Sequence, residues 1–140
     1  MNCYLLDTNV LSEPLKSVPD QSSMAMLKKH QDEIATAAPV WHELRFGCFR
    51  LPPSRKRKLI ESYLDGVIRR SLDILPYEER AAAWHASERA RLTALGRAPS
   101  FVDGQIAAIA SVNGLILVTR NTADFELFRD LQVVNWHSAP

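Results

Sequence analysis

Four acidic residues are placed where the sequence could gather carboxylates at one edge of a β-sheet. Two of them follow apolar runs that predict buried strands, and two lie near the starts of predicted helices. In open α/β sheets, loops and helix N-termini converge at the carboxyl ends of parallel strands, where ligands bind. The four residues are Asp7, Glu43, Asp103 and Asp124.

Carboxylates brought within ~4 to 6 Å of one another repel, and a hard divalent cation compensates this repulsion. Mg²⁺ prefers oxygen ligands and keeps several waters, so a few carboxylates with water and a substrate phosphate suit it. The sequence lacks the cysteine and histidine spacing of a zinc site. Ordinary surface or packing roles are predicted for the four scattered histidines, which are His30, His42, His85 and His137.

Each acid taken alone also has an ordinary structural explanation. Asp7 could cap the helix that follows it, and Asp103 and Asp124 could be capping acids in the first turns of their helices. Glu43 could be a solvated helix acid beside two basic neighbours. The case for chemistry therefore depends on whether the four meet in one crevice.

The elements that must position these acids alternate between strand and helix. Apolar runs predict strands at residues 3–6, 34–38, 72–75, 115–118 and 133–134. Helical spacing and capping residues predict helices at residues 9–15, 20–30, 39–51, 55–70, 78–95 and 100–113, and a short helix that contains Asp124, Phe125 and Phe128. Strands separated by helices indicate a mostly parallel sheet of four to five strands that is covered on both faces.

Length and composition fit one globular domain over residues 1–140. The longest uncharged stretch, residues 104–119, is shorter than the ~20 residues of a membrane-spanning helix. The N-terminus has no basic region and reaches Asp7 before a signal peptide could develop, so a cytoplasmic location is predicted. The two cysteines, Cys3 and Cys48, are predicted to be buried free thiols in a reducing compartment.

Basic residues could supply a groove for a polyanion, although the net charge of +1 alone gives no evidence for one. Setting aside the four acids leaves 17 basic against 12 acidic residues. Two arginines share a predicted helix with Glu43, and a dense basic run follows it. The candidate RNA-binding residues are Arg45, Arg50, Lys56 and Arg57, although such runs are often merely solvated helix faces.

The chain as a whole resembles the PIN-domain nucleases, and in particular the VapC and FitB type toxins of bacterial toxin–antitoxin pairs. The resemblance rests on Leu-Leu-Asp-Thr-Asn-Val-Leu at residues 5–11 and on Glu43 in a helix after a short strand. It rests also on Asp103 before Gln-Ile-Ala-Ala and on Leu-Val-Thr-Arg-Asn-Thr-Ala-Asp-Phe at residues 117–125. The motifs cover nearly the whole chain in the family's order.

This resemblance implies a three-layer α/β/α sandwich and a Mg²⁺-dependent endoribonuclease, in which Mn²⁺ can substitute. The four acids would bind the metal, and polar residues beside them would support or orient them; these are Thr8, Asn9, Thr119 and Asn121. Hydrolysis by metal-activated water would leave a 5′-phosphate and a 3′-hydroxyl. The implied partners are an RNA substrate, a cognate antitoxin, which could form a hetero-oligomer with the toxin, and a second copy of the chain, with no membrane.

Three other functions fit parts of the sequence. A haloacid dehalogenase type phosphatase also has an Asp after its first strand, but it needs a second Asp where this chain has Asn9. A catalytically inactive binding module could keep the fold, although all four acids are present. A structure-specific DNA nuclease on the same fold usually carries insertions that this chain lacks.

Overall fold

The computed structural model describes residues 1–138. All strands run parallel in one five-stranded sheet with the order β3-β2-β1-β4-β5 and helices on both sides. The strands are β1 (Tyr4–Leu6), β2 (Ile34–Ala37), β3 (Asp73–Leu75), β4 (Ile116–Val118) and β5 (Val133–Val134). The prediction of a parallel α/β/α sandwich is therefore confirmed.

Seven α-helices connect and cover these strands in the described part of the chain. They are α1 (Thr8–Leu11), α2 (Gln21–Lys29), α3 (Ala38–Phe49), α4 (Arg55–Tyr63), α5 (Arg69–Ser71), α6 (Glu79–Ala94) and α7 (Phe101–Val112). The predicted caps Asp20, Ser54 and Ser100 each accept a hydrogen bond from a backbone N–H in the first turn of their helix. Within residues 1–138 no helix is both long and apolar enough to cross a membrane.

Three predictions of local structure were wrong in detail. The helix predicted at residues 9–15 divides into α1 and the 3-10 turn Glu13–Leu15, since the Pro14 ring fixes its backbone and provides no N–H. The predicted helix 55–70 contains the π-helical segment Leu64–Ile68 between α4 and α5. The segment after β4 forms only the short 3-10 turn Thr122–Asp124.

The core lies between the sheet and the helices that pack on it. The side chains of Leu5, Leu6 and Leu117 from the central strands are fully buried. Ile106 and Ile109 of α7 are buried as well, and α6 packs along α7. Burial of apolar side chains such as these contributes roughly 25 cal/mol per Å² of area removed from water.

The prediction of two buried free thiols is correct for Cys48 and wrong about the burial of Cys3. Both are free thiols, as expected, and Cys48 is buried. Cys3, however, is only half-buried, and it lies one residue before the start of β1.

A buried polar cluster anchors the end of the described chain to α2. Asp20 caps α2 and also accepts a hydrogen bond of 3.1 Å from the Ser138 N–H. Nearby, the buried Glu13 pairs with Lys16 at 2.8 Å, and Nε2 of His137 lies 3.5 Å from the same carboxylate oxygen. These contacts hold residues 137–138 beside the turn that follows α1.

Candidate active site

Asp7 lies at the carboxyl end of β1, where it also caps α1. Its backbone N–H donates to the Val118 carbonyl at 3.0 Å, which fixes it beside the end of β4. Oδ1 accepts a hydrogen bond of 2.8 Å from the Thr8 N–H, and Oδ2 accepts one of 2.8 Å from the Thr119 hydroxyl. The side chain is thus both the predicted helix cap and a buried carboxylate, only 7% exposed.

Asn9 and Thr119 connect the first and last sequence motifs around Asp7. The Asn9 amide donates to Oδ2 of Asp7 at 3.4 Å and to the Thr119 hydroxyl oxygen at 3.2 Å. Its carbonyl oxygen accepts from the Arg120 N–H at 2.9 Å. The Asn121 backbone N–H donates to the Thr119 hydroxyl oxygen at 3.1 Å, so Asn121 contributes to this network through its backbone.

Glu43 reaches the same edge from α3, the helix that follows β2. Its Oε2 accepts a hydrogen bond of 2.8 Å from the Thr8 hydroxyl, although the residue is exposed to solvent. Thr8 therefore contacts two of the four acids, Asp7 through its backbone and Glu43 through its side chain. This contact joins the β1 and β2 sides of the crevice.

Asp103 and Asp124 lie at the starts of α7 and of the 3-10 turn after β4. The Asp103 N–H donates to the Ser100 hydroxyl oxygen at 3.1 Å, as in a capping box, and the residue is half-buried. The Asp124 N–H donates to the Asn121 carbonyl at 3.1 Å, and the Asp124 side chain is exposed. Both carboxylates are thus placed by the backbone turn to which they belong.

The charges of neighbouring acids contribute to the raised pKa values of two of the carboxyls, Asp7 and Asp103. Burial raises the pKa of the Asp7 carboxyl, the hydrogen bonds from Thr119 and Thr8 oppose that change, and the charge of Glu43 adds to it. Burial is also the first cause that raises the pKa of Asp103, followed by repulsion from Asp124, Asp7 and Glu43. The charges of the other three acids thus reach Asp103, and the assignment of all four to one metal site stays a prediction.

Oxygen donors of this kind suit Mg²⁺, and the geometry limits how it could be held. Within residues 1–138 no group of three or more His, Cys, Asp or Glu side chains is close enough to hold a metal ion directly. Mg²⁺ in proteins commonly takes one or two carboxylates and keeps its other positions for waters and substrate phosphate. The donor set fits a largely hydrated Mg²⁺ and does not fit a closed protein cage.

The four candidate RNA-binding residues lie on α3, on α4 and between them. Arg45 pairs with Asp65, and its guanidinium lies 4.7 Å from the Trp41 ring centroid. Arg57 pairs with Glu61 at 2.9 Å. The Arg50 guanidinium lies 5.5 Å from the exposed Phe46 ring. Two of the four arginine and lysine charges are thus already engaged with acids of the same chain.

Lys56 is exposed near the start of α4, and no ion pair involves it among the described residues. Its charge is therefore more available to a polyanion than that of Arg45 or Arg57. The role of all four residues in RNA binding stays a prediction.

Sequence reasoning missed that one histidine packs against the helix turn that carries Asp103. His85 was predicted to have an ordinary packing role, but its buried ring contacts Gly104, the residue after Asp103. A usable signal was present, because glycine inside a helix is less favourable than alanine and α7 otherwise favours alanine. A glycine there indicates that another group approaches the helix backbone closely.

A comparison with protein families matches residues 4–131 to the PIN domain. Two curated relatives are similar over nearly their whole length. The VapC ribonuclease Y4jK of Sinorhizobium fredii is 32% identical over 139 residues, covering 96% of this chain and 99% of that protein. Toxin FitB of Neisseria gonorrhoeae is 34% identical over 137 residues, covering 95% and 98%.

Solved structures agree with these relatives. The FitAcB structure from Neisseria gonorrhoeae matches with a TM-score of 0.87 and 34% identity, covering 96% of this chain and 99% of that one. DNA-bound VapBC from Salmonella typhimurium matches with a TM-score of 0.84 and 26% identity, covering 97% and 99%. The chain therefore belongs to the PIN-domain family, with VapC and FitB proteins among its relatives.

Proposed function

We propose that this protein is a Mg²⁺-dependent endoribonuclease and the toxin of a type II toxin–antitoxin pair. The observation that carries the proposal is the convergence of four carboxylates at the carboxyl edge of β2, β1 and β4, with the buried Asp7 at its centre. Relatives named as a VapC ribonuclease and as toxin FitB support the choice of reaction.

Asp7 is the best-held ligand for the metal in this proposal. Its two oxygens accept three hydrogen bonds, which fix the carboxylate while leaving lone pairs for a cation. Of Glu43, Asp103 and Asp124, at most one would bind the metal directly beside Asp7, and the others would act through waters. A bound Mg²⁺ would lower the pKa of a coordinated water and offset charge on the scissile phosphate.

The chain's own residues fix the orientation of this reaction. Asp7 is tied to β4 and to Thr119, so the phosphate would enter from the solvent side, where Glu43 and Asp124 are exposed. Water adds its oxygen to phosphorus and the bond to the 3′ oxygen breaks. The products are a 5′-phosphate and a 3′-hydroxyl, and the 2′-hydroxyl of RNA takes no part.

The proposed partners follow from the relatives and from the exposed apolar surface. Solved structures similar to this chain include FitAcB and DNA-bound VapBC. An antitoxin protein, a second copy of this chain and a cytoplasmic location are proposed on that basis. Phe46, Phe49 and Phe101 are each at least half exposed, which suits a surface that another protein covers.

The test is cleavage of labelled RNA by purified protein without antitoxin, with Mg²⁺ and with chelator, beside an Asp7→Asn variant. We expect cleavage only with metal and a loss of about 100-fold or more in the variant, since the metal supplies several kcal/mol of transition-state stabilisation. Product ends are checked by ligation, which requires the 5′-phosphate.

Cleavage that persists in chelator, or an undiminished Asp7→Asn variant, would remove the proposed mechanism. If the wild type binds RNA but cleaves it neither with Mg²⁺ nor with Mn²⁺, the inactive binding module becomes the better explanation. Activity on small phosphate esters without RNA cleavage would favour the phosphatase. The position two residues after Asp7 already argues against that enzyme, since Asn9 is engaged with Thr119 and Arg120.

A further inference from the structure

The backbone of α7 makes an unusually close contact with His85 of α6. A Cβ atom added to Gly104 would lie 2.1 Å from Nε2 and 2.5 Å from Cδ2 of His85. Real Cβ atoms essentially never approach another heavy atom within 3.0 Å. By contrast, a Cβ at the helical Gly66 would meet nothing within 4 Å. Of these two helical glycines, only Gly104 is required by its surroundings.

The imidazole that fills this space is held on several sides. His85 is 3% exposed, and its Nδ1 shares a hydrogen bond of 2.8 Å with the Tyr77 hydroxyl. The Phe101 ring lies 4.7 Å from the imidazole, centroid to centroid, and the Arg89 guanidinium lies 5.2 Å from the Phe101 ring centroid. Because the ring has little room to turn aside, it acts as a fixed spacer between α6 and α7.

The spacer contacts the turn that carries Asp103. Gly104 directly follows Asp103, and its N–H donates to the Ser100 carbonyl at 3.1 Å. The Asp103 N–H donates to the Ser100 hydroxyl oxygen in the same turn. A shift of α7 at Gly104 would therefore move the Asp103 carboxylate relative to Asp7 and Asp124.

We infer that His85 is a positioning residue for Asp103, acting through its contact with Gly104. It does not touch the substrate or the metal. It sets the distance between α6 and the first turn of α7, and so the place of Asp103 in the carboxylate crevice. The inference rests on the proposed function of that crevice, since it assigns His85 to the geometry of the metal site.

The test uses Gly104→Ala, the double variant Gly104→Ala/His85→Ala, and Gly66→Ala as the matched control. Binding of Mn²⁺ to each protein is followed by the loss of its free-ion electron paramagnetic resonance signal. We expect Gly104→Ala to weaken the Mn²⁺ affinity about tenfold. This is the lower end of the range of losses seen when residues that orient metal ligands are substituted. Gly66→Ala should match the wild type.

The double variant separates positioning from general damage. Removing the imidazole restores the space that the new methyl group needs, so the double variant should bind Mn²⁺ more tightly than Gly104→Ala alone. In RNA cleavage we expect the loss in Gly104→Ala to appear in kcat, with KM for RNA unchanged. A purely structural role for His85 would change the Tm of the variants and leave the Mn²⁺ affinity of the folded proteins unchanged.

A second variant, Tyr77→Phe, keeps the aromatic ring and removes only the hydroxyl that shares a hydrogen bond with the imidazole. We expect a loss of Mn²⁺ affinity with a Tm close to that of the wild type. If Gly104→Ala does not fold, as judged by circular dichroism, Tyr77→Phe decides the question, and unchanged affinity in it overturns the inference.

The outcomes distinguish the two proposals. Wild-type protein that neither binds Mn²⁺ nor cleaves RNA removes the proposed function and this inference with it. The role of His85 alone is removed if the wild type binds Mn²⁺ and cleaves RNA but a folded Gly104→Ala variant has the same Mn²⁺ affinity. It is also removed if the double variant binds Mn²⁺ no more tightly than Gly104→Ala.

Discussion

The two halves of the carboxylate crevice are held by different means. Around Asp7, side chains of two distant motifs donate to the carboxylate itself, and Thr119 is fully buried. Asp103 and Asp124 instead depend on backbone turns and on helix packing. The Asp7 half should therefore resist motion, and the other half should respond to changes in the helices that carry it.

Among the variants that test this difference between the two halves, Thr119→Val should have the largest effect on metal affinity and stability. Thr119→Val keeps the side-chain shape but removes the buried donor to Asp7 and the acceptor of Asn9 and Asn121. We expect about a tenfold loss of Mg²⁺ affinity. The free energy of unfolding should fall by about 2 kcal/mol, since the lost bond is to a buried charged group. Calorimetric titration measures the Mg²⁺ affinity, and urea unfolding measures the free energy of unfolding.

Thr8→Val is the matched control for that variant. The Thr8 hydroxyl also donates to a carboxylate at 2.8 Å, but Glu43 is exposed and water can replace the lost donor. We expect a change in unfolding free energy of no more than about 0.5 kcal/mol, as is usual for surface substitutions. Equal losses in both variants would contradict the view that burial makes the Asp7 half rigid.

The second prediction concerns the stability of the metal-free protein and tests the less firmly held half. The pKa of Asp103 is raised in the fold, first by burial and then by repulsion, so its ionisation opposes folding. The wild type therefore loses stability as the pH rises from the ordinary value of 3.8 through the raised folded pKa. Asp103→Asn cannot lose stability in this way. In chelator, we expect this variant to unfold at higher urea than the wild type at pH 7.

The advantage of Asp103→Asn should shrink as the pH falls from the raised folded pKa toward 3.8, and it should be absent well below 3.8, where the carboxyl is protonated in both states. Added Mg²⁺ should reverse the order, because a ligand stabilises the protein that binds it more tightly. Glu79→Gln is the control, since Glu79 is an exposed acid in the first turn of α6 and only its helix-dipole interaction is lost. If Glu79→Gln gains as much stability as Asp103→Asn, burial and repulsion in the crevice do not explain the gain.

The smallest predicted effect lies outside both halves, on the basic surface. Lys56→Glu should weaken RNA binding and lower the slope of its salt dependence by about one, as for the loss of a single phosphate contact. Lys29→Glu on α2 changes the net charge equally and is the control. If both variants weaken binding alike, the general charge of the protein, and not a groove at α4, explains the effect.

Much of this fold could be predicted from the sequence because its signals are local. Apolar runs and the capping residues Asp20, Ser54 and Ser100 placed most strands and helices within a few residues. The 3-10 turns and the π-helical segment were missed, since they differ from α-helix by small changes in hydrogen bonding that propensity does not resolve.

The sequence by itself determined which carboxylates this protein could use and that they would follow strands or begin helices. Only the tertiary structure decided that Asp7 is buried and hydrogen-bonded by Thr119, a residue 112 positions away. Only the tertiary structure placed the His85 ring against Gly104. The physical reason is that caps and apolar runs are encoded by neighbours in the chain. Burial and close contact between helices depend on which distant segments pack together.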